Sequence, residues 1–144
     1  MWVLYSIVAS ILWGLDYALA GKLLEKIGFS TLLGFEFLFG FLVMFWISFT
    51  SGAYKTDLGV LVSSKQTMTY FILIITLFTV AHTLIVLSIG NKSATLTSLI
   101  EMSYPLFVAG FSWILFGEGK INMWTSVGGL LVFTGVSIIC FFNK

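Results

Sequence analysis

Residues 97–118 read TSLIEMSYPLFVAGFSWILFGE, and this run decides how the chain folds. It is apolar enough to cross a bilayer, yet it carries a carboxylate, Glu101, and the only proline of the chain, Pro105. Proline has no backbone N–H, so the carbonyl one helical turn before it loses its usual donor. In lipid such a defect is tolerated only where protein or a water-filled cavity covers it. We therefore expect Glu101 and the helix break at Pro105 to line a cavity inside a membrane protein.

The composition of the 144 residues supports that class of protein. Hydrophobic residues make up 59% of the chain and charged residues 9%, whereas a soluble domain carries about 25% charged residues. The net charge of +1 and the lack of arginine argue against a surface for nucleic acid or phosphate. The single cysteine, Cys140, excludes an intrachain disulfide and a CxxC metal site.

A membrane-crossing helix needs about 20 mostly apolar residues. Five runs meet this condition, so we predict an all-α integral membrane protein with five transmembrane helices in a single domain, residues 1–144. The predicted spans are 2–22, 31–50, 70–90, 94–116 and 123–142. The link 51–67 is expected at the membrane interface. The first run has no basic segment before it, so we expect a retained helix rather than a cleaved signal peptide.

Four ionisable residues fall inside these spans: Asp16, Glu36, His82 and Glu101. At 1.5 Å of rise per residue, the alternating helix directions put all four about 10 Å from the same membrane face. An intramembrane charge costs roughly 2.5–3.5 kcal/mol on insertion scales. A helix bundle gains little from several such residues unless they bind a solute or carry protons.

Three of these residues also have a purely structural interpretation. Glu36 could pair with Lys22, whose long side chain reaches toward the interface. His82 could hydrogen-bond to a helical hydroxyl or carbonyl group, and Asp16 could be held by aromatic neighbours on its own helix. These alternatives stay open from the sequence.

Glu101 has the strongest case for a functional role. Thr97, Ser98 and Tyr104 lie three or four residues from it, which places a polar stripe on one helical face beside the proline. We predict that Glu101 is the main carboxylate that binds substrate or protons, with Asp16 second. The other predicted members of this site are Trp13, Glu36, His82 and Tyr104.

The fifth span presents small residues on its surface, at Gly128, Gly129 and Gly135. Faces of small residues allow helices to pack closely in lipid, where no hydrophobic force draws them together. The face could serve packing within one subunit or form a dimer seam.

The sequence shows no nucleophile–base pair, no phosphate-binding loop and no metal-ligand spacing. We predict that the protein is not an enzyme and uses no metal and no cofactor.

Several short motifs resemble one EamA-type repeat of the drug/metabolite transporter superfamily, and the last three helices are similar to those of small multidrug resistance exporters. The motifs are Trp13-Gly14, Tyr104-Pro105-Leu-Phe, Phe116-Gly117-Glu118 and Gly128-Gly129 followed by Gly135-Val136. The resemblance implies transport of small molecules, often coupled to protons, through a cavity between two inverted repeats.

Carried over by position, the resemblance puts Asp16 at the polar place after Trp-Gly and makes Glu118 a structural residue of a turn at the membrane surface. Glu36 departs from the pattern, because an arginine is common there, and Glu101 and His82 are additional to it. For this reason the resemblance implies no particular substrate.

Familiar members of the superfamily fuse two such repeats, whereas this sequence holds one. Five helices leave the two ends of a repeat on opposite sides of the membrane, so a second copy in tandem is inverted. We therefore expect an antiparallel homodimer; a heterodimer with a sister protein is the alternative. Lysines in short links set orientation, and here three lie on one side (Lys55, Lys65, Lys120) and four on the other (Lys22, Lys26, Lys92, Lys144). This near-balance permits both insertions.

Together these features predict a secondary transporter, coupled to protons, for a small cationic or zwitterionic organic solute. The expected location is the cell membrane, as a multi-pass protein of a prokaryotic inner or plasma membrane. The alternative function is a non-transporting helix bundle that assembles with another membrane complex, where the acids pair with basic groups of that partner.

Overall fold

The computed structural model describes residues 1–117 and 123–142, and all secondary structure in these ranges is helical. The helices are α1 (Trp2–Leu23), α2 (Phe29–Ser51), α3 (Ala53–Ser63), α4 (Lys65–Asn91), α5 (Ala94–Glu101), α6 (Tyr104–Phe116) and α7 (Met123–Phe142). Glu118, Lys120 and Lys144, which the sequence singled out, lie outside the described residues.

Five stretches of the described chain are long and apolar enough to cross a membrane, which confirms the predicted fold class. They are α1, α2, α4, the pair α5–α6 and α7. Few of their side chains are buried, and large apolar side chains are exposed on every span. An apolar surface of this extent suits contact with lipid rather than water. The protein is therefore an all-helical integral membrane protein.

The link predicted at the interface forms a short helix of its own, α3. Gly52 ends α2 with a φ of 74°, a left-handed conformation that glycine adopts without strain because it has no Cβ. At the other end, the Ser64 hydroxyl accepts a hydrogen bond from the Thr67 N–H at 3.2 Å. This bond satisfies one of the free donors at the start of α4, so α4 begins at Lys65 rather than at the predicted residue 70.

The fourth span is divided into two helices near its centre. Helix α5 ends at Glu101 and α6 begins at Tyr104, with Pro105 in the first turn of α6. Proline is accepted in a first helical turn because the N–H that it lacks has no partner there. Between the helices the Ser103 N–H donates to the Ile100 carbonyl at 3.1 Å, a bond across three residues that tightens the turn. Glu101 is consequently the last residue of a short helix.

The chain divides into two compact units. Unit 1 contains residues 1–21 and 92–144, that is, most of α1 together with α5, α6 and α7. In it α5 packs against α7, and the buried residues are Tyr17, Ala20 and Thr97. Unit 2 contains residues 22–91, with α2, α3 and α4 packed against one another. Its buried residues are Leu33, His82, Val86 and Ile89.

Candidate functional site

In unit 1 the Glu101 carboxylate is bound by a tyrosine of the first helix. The Tyr17 hydroxyl donates to Oε2 of Glu101 at 2.6 Å, within the range of strong bonds between a hydroxyl and a carboxylate. Tyr17 is only 6% exposed, and its ring meets the edge of Trp13, with centroids 5.6 Å apart and planes at 72°. The carboxylate is thus held between α5 and an aromatic pair on α1.

The position of Glu101 makes this hydrogen bond important. A helix C-terminus carries partial negative charge from its last carbonyl groups, so an anion there is in an unfavourable field. Pro105 also has no N–H to offer the carbonyl of Glu101, four residues earlier. A carboxylate in such surroundings depends on an added donor, and the Tyr17 hydroxyl supplies one.

In unit 2 the histidine and a glutamate form a second polar pair. His82 Nε2 lies 3.2 Å from Oε2 of Glu36, and His82 is 8% exposed. The Phe78 ring stacks on the imidazole with centroids 5.8 Å apart and planes at 5°, and the Phe37 ring lies 5.7 Å away on centroids. The pair joins α2 to α4 inside an aromatic setting.

The possible pairing of Lys22 with Glu36 is wrong. Lys22 Nζ instead contacts Oε1 of Glu25 at 2.8 Å, and these side chains are 80% and 60% exposed. Glu25 lies three residues further along the chain, so the lysine reaches it locally and stays at the surface. The partner of Glu36 is His82, which lies 46 residues away in the sequence.

The remaining predicted site residues lie around unit 1 without joining the Tyr17–Glu101 contact. Asp16 is exposed, one position before the buried Tyr17. Tyr104 is 61% exposed and starts α6, so the helix break separates it from the polar face of α5. Their roles stay predictions.

Tyr17, Phe37 and Phe78 are site neighbours that the sequence interpretation did not select. Tyr17 follows Trp13 by four residues, the spacing that puts two side chains on one helical face. That spacing could have identified Tyr17 from the sequence. The contacts of Phe37 and Phe78 with His82 depend on how α2 and α4 pack, which the sequence does not show.

The glycines of α7 have different surroundings. A Cβ placed on Gly129 would lie 2.7 Å from Cδ2 of Leu106, so this glycine permits close approach of α7 to α6. A Cβ on Gly128 or Gly135 would meet no atom of residues 1–117 and 123–142 within 4 Å. Next to them an apolar groove of about 660 Å³ runs between α6 and α7, beside Pro105. Packing within the subunit therefore accounts for Gly129 and leaves the face of Gly128 and Gly135 open.

No group of three or more histidine, cysteine, aspartate or glutamate side chains within residues 1–117 and 123–142 is arranged to hold a metal ion. The site chemistry of this part of the chain includes two polar pairs, Tyr17–Glu101 in unit 1 and Glu36–His82 in unit 2.

Comparison with known proteins gives one family. Residues 1–141 match the EamA-like transporter family. Searches of curated proteins and of solved structures found no match. Because the matched range covers nearly all of a five-span helical chain, the chain belongs to the EamA-like transporter family.

Proposed function

We propose that this protein is a proton-coupled secondary transporter of a small cationic or zwitterionic organic solute. Membership of the EamA-like transporter family supports transport of small solutes across a membrane. The finer parts of the proposal rest on the chemistry of unit 1.

The hydrogen bond between Tyr17 and Glu101 carries the proposal. A carboxylate inside a span binds either a proton or a cationic group, and each displaces or weakens the hydrogen bond from the phenol. Competition of this kind for one carboxylate is the basis of exchange between protons and solute. An ionisable side chain inside a span also costs free energy on membrane insertion, and this cost favours a functional role.

The surroundings of Glu101 support a positively charged group on the solute. Trp13, beside Tyr17, is exposed and offers an aromatic face, which attracts cations with about 0.5–2 kcal/mol. Asp16, on the same helix, is the second predicted carboxylate, and the chain holds no arginine that would favour phosphate.

We further propose an antiparallel homodimer in the cell membrane. Alternating access in inverted-repeat transporters moves one repeat against an inverted one around a site near the membrane centre. The near-balance of lysines between the two sides supports both insertions. The open face of Gly128 and Gly135 on α7 is the candidate seam.

Flux through purified protein in liposomes tests the transport proposal. With an imposed pH gradient and a trapped pH-sensitive dye, choline or glycine betaine is expected to move protons, and succinate is not. The Glu101→Gln variant keeps the side-chain shape and removes the charge, so it should fold normally and lose this coupled flux. Tyr17→Phe should retain flux with a displaced pH dependence.

Glu25→Gln is the matched control, because it removes an exposed carboxylate that pairs locally with Lys22. It should transport like the natural chain. Unchanged coupled flux in Glu101→Gln would reject the assignment of Glu101. The absence of flux with every solute in the natural chain would favour the alternative, a bundle that assembles with another membrane complex.

A further inference from the structure

Unit 2 contains a polar pair that the transport proposal leaves without a role. We propose that Glu36 and His82 together form a proton-binding site in unit 2, which takes up and releases one proton as a unit. The proposal goes beyond transport and stands without it, because the site is defined by its protons and not by a solute.

The geometry brings a titratable acid and a titratable base into direct contact inside an apolar helix pair. His82 Nε2 and Glu36 Oε2 are 3.2 Å apart, a distance at which one hydrogen lies between them. His82 is buried and Glu36 is half-buried, so the pair is partly shielded from its surroundings while the carboxylate stays accessible at the surface. Histidine is the side chain whose ordinary charge change falls nearest neutral pH.

Two aromatic rings fix the imidazole in this position. Phe78 lies one helical turn before His82 on α4, and its ring stacks parallel to the imidazole. Phe37 follows Glu36 on α2, and its ring contacts the imidazole from that neighbouring helix. Aromatic faces attract a cation, so this setting accepts a charged imidazolium as well as a neutral imidazole.

The proton balance of the pair is simple. With a neutral imidazole donating from Nε2 to an ionised carboxylate, the pair has a net charge of −1. One added proton gives either an imidazolium with a carboxylate or an imidazole with a carboxylic acid, and in both forms the net charge is zero. Apolar surroundings penalise an uncompensated charge, so uptake and release of this proton change the electrostatic energy of unit 2.

The other titratable groups of unit 2 lie toward the helix ends. They are Lys22, Glu25, Lys26, Tyr54, Lys55, Asp57, Lys65 and Tyr70. Tyr70, the nearest on α4, precedes His82 by 12 residues, or about 18 Å of helix. The start of α2 at Phe29 precedes Glu36 by seven residues, or about 10 Å. Glu36 and His82 are thus the only titratable pair in the middle of this fully described unit.

The single histidine of the chain makes a direct test possible. Protein labelled with ¹³C,¹⁵N-histidine and purified with a tag that lacks histidine gives the imidazole signal of His82 alone. In lipid nanodiscs this signal is recorded from about pH 5 to 9, the range in which histidines titrate. We expect the signal to respond to pH, and we expect Glu36→Gln to alter that response, because the variant removes the charge beside the imidazole ring.

Glu25→Gln is the control, because it removes an exposed carboxylate of the same unit, and it should leave the His82 response in place. A wild-type signal that does not titrate, or a pH response that Glu36→Gln leaves unchanged, would overturn the proposal. If Glu36→Gln does not fold, solid-state NMR on the natural chain replaces it: a dipolar contact between ¹⁵Nε2 and a glutamate ¹³Cδ supports the pair, and its absence contradicts it.

Discussion

At the residue scale, the ionisable side chains inside the spans have partners that differ from the nearest ones in sequence. Glu101 accepts a hydrogen bond from Tyr17, 84 residues away, and Glu36 contacts His82, 46 residues away. The lysine that could have paired with Glu36 is instead bound to Glu25 at the surface. Because each long-range contact joins two helices, each also contributes to the packing of its unit.

The stability of unit 2 should depend on the contact between Glu36 and His82. Glu36→Gln replaces a hydrogen bond that involves a charged group by a neutral one, and we expect a loss of about 1 kcal/mol in the free energy of unfolding, the difference between the two kinds of bond. Thermal unfolding in detergent measures this loss, and Glu25→Gln is the exposed control that should change nothing. The same variant should keep most of its proton-coupled flux, because we expect Glu36 to matter more for stability than for transport. A Glu36→Gln protein that is stable but inactive would show that Glu36 serves transport.

At the element scale, a proline and a set of glycines decide how the last three helices are arranged. Pro105 lies in the first turn of α6 rather than kinking a continuous helix, which leaves Glu101 at a helix end. Gly129 faces Leu106 on α6, whereas Gly128, one position earlier, faces no neighbour among the described residues. Adjacent positions on a helix point about 100° apart, so one glycine serves packing and the next lies on an open surface.

The two adjacent glycines of α7 should therefore respond differently to a large side chain. Gly129→Leu introduces atoms at the place that the Leu106 side chain occupies, and overpacking of this kind costs about 1–3 kcal/mol. At Gly128 a Cβ meets no atom of the described residues within 4 Å, so Gly128→Leu should not destabilise the monomer. Denaturation of each variant in detergent, at a concentration that keeps the protein monomeric, compares them. Equal losses would contradict the assignment of Gly129 alone to packing.

At the scale of the whole molecule, most apolar side chains face outward and charges concentrate at the ends of the spans. Such a chain inserts into a membrane, and its links decide the orientation. Lys55 lies on α3 and Lys65 begins α4, on the far side of α2 from Lys22 and Lys26. Neither side of the membrane receives the clear excess of lysine that would fix one orientation.

We expect the chain to insert in both orientations, as an antiparallel dimer requires. A single cysteine at the exposed Ser63 in a Cys140→Ala background reports one side of the membrane, and one at the exposed Glu25 reports the other. A membrane-impermeant thiol reagent should label each in about half of the molecules in intact native membranes. Complete labelling at one site with none at the other means a single orientation, which would exclude the antiparallel homodimer and leave a heterodimer or a parallel assembly.

The sequence by itself determined the membrane class, the five spans and the identity of the ionisable residues inside them. These features are local: a span is a continuous apolar run, and a charge inside it is visible from that run alone. Only the tertiary structure decided which of two adjacent residues, Asp16 or Tyr17, is buried on α1, and that Glu36 meets His82 rather than Lys22. The physical reason is that lipid-facing and protein-facing sides of such helices are nearly equally apolar. The rotation of each helix is therefore set by packing, which no hydrophobic pattern in the sequence reveals.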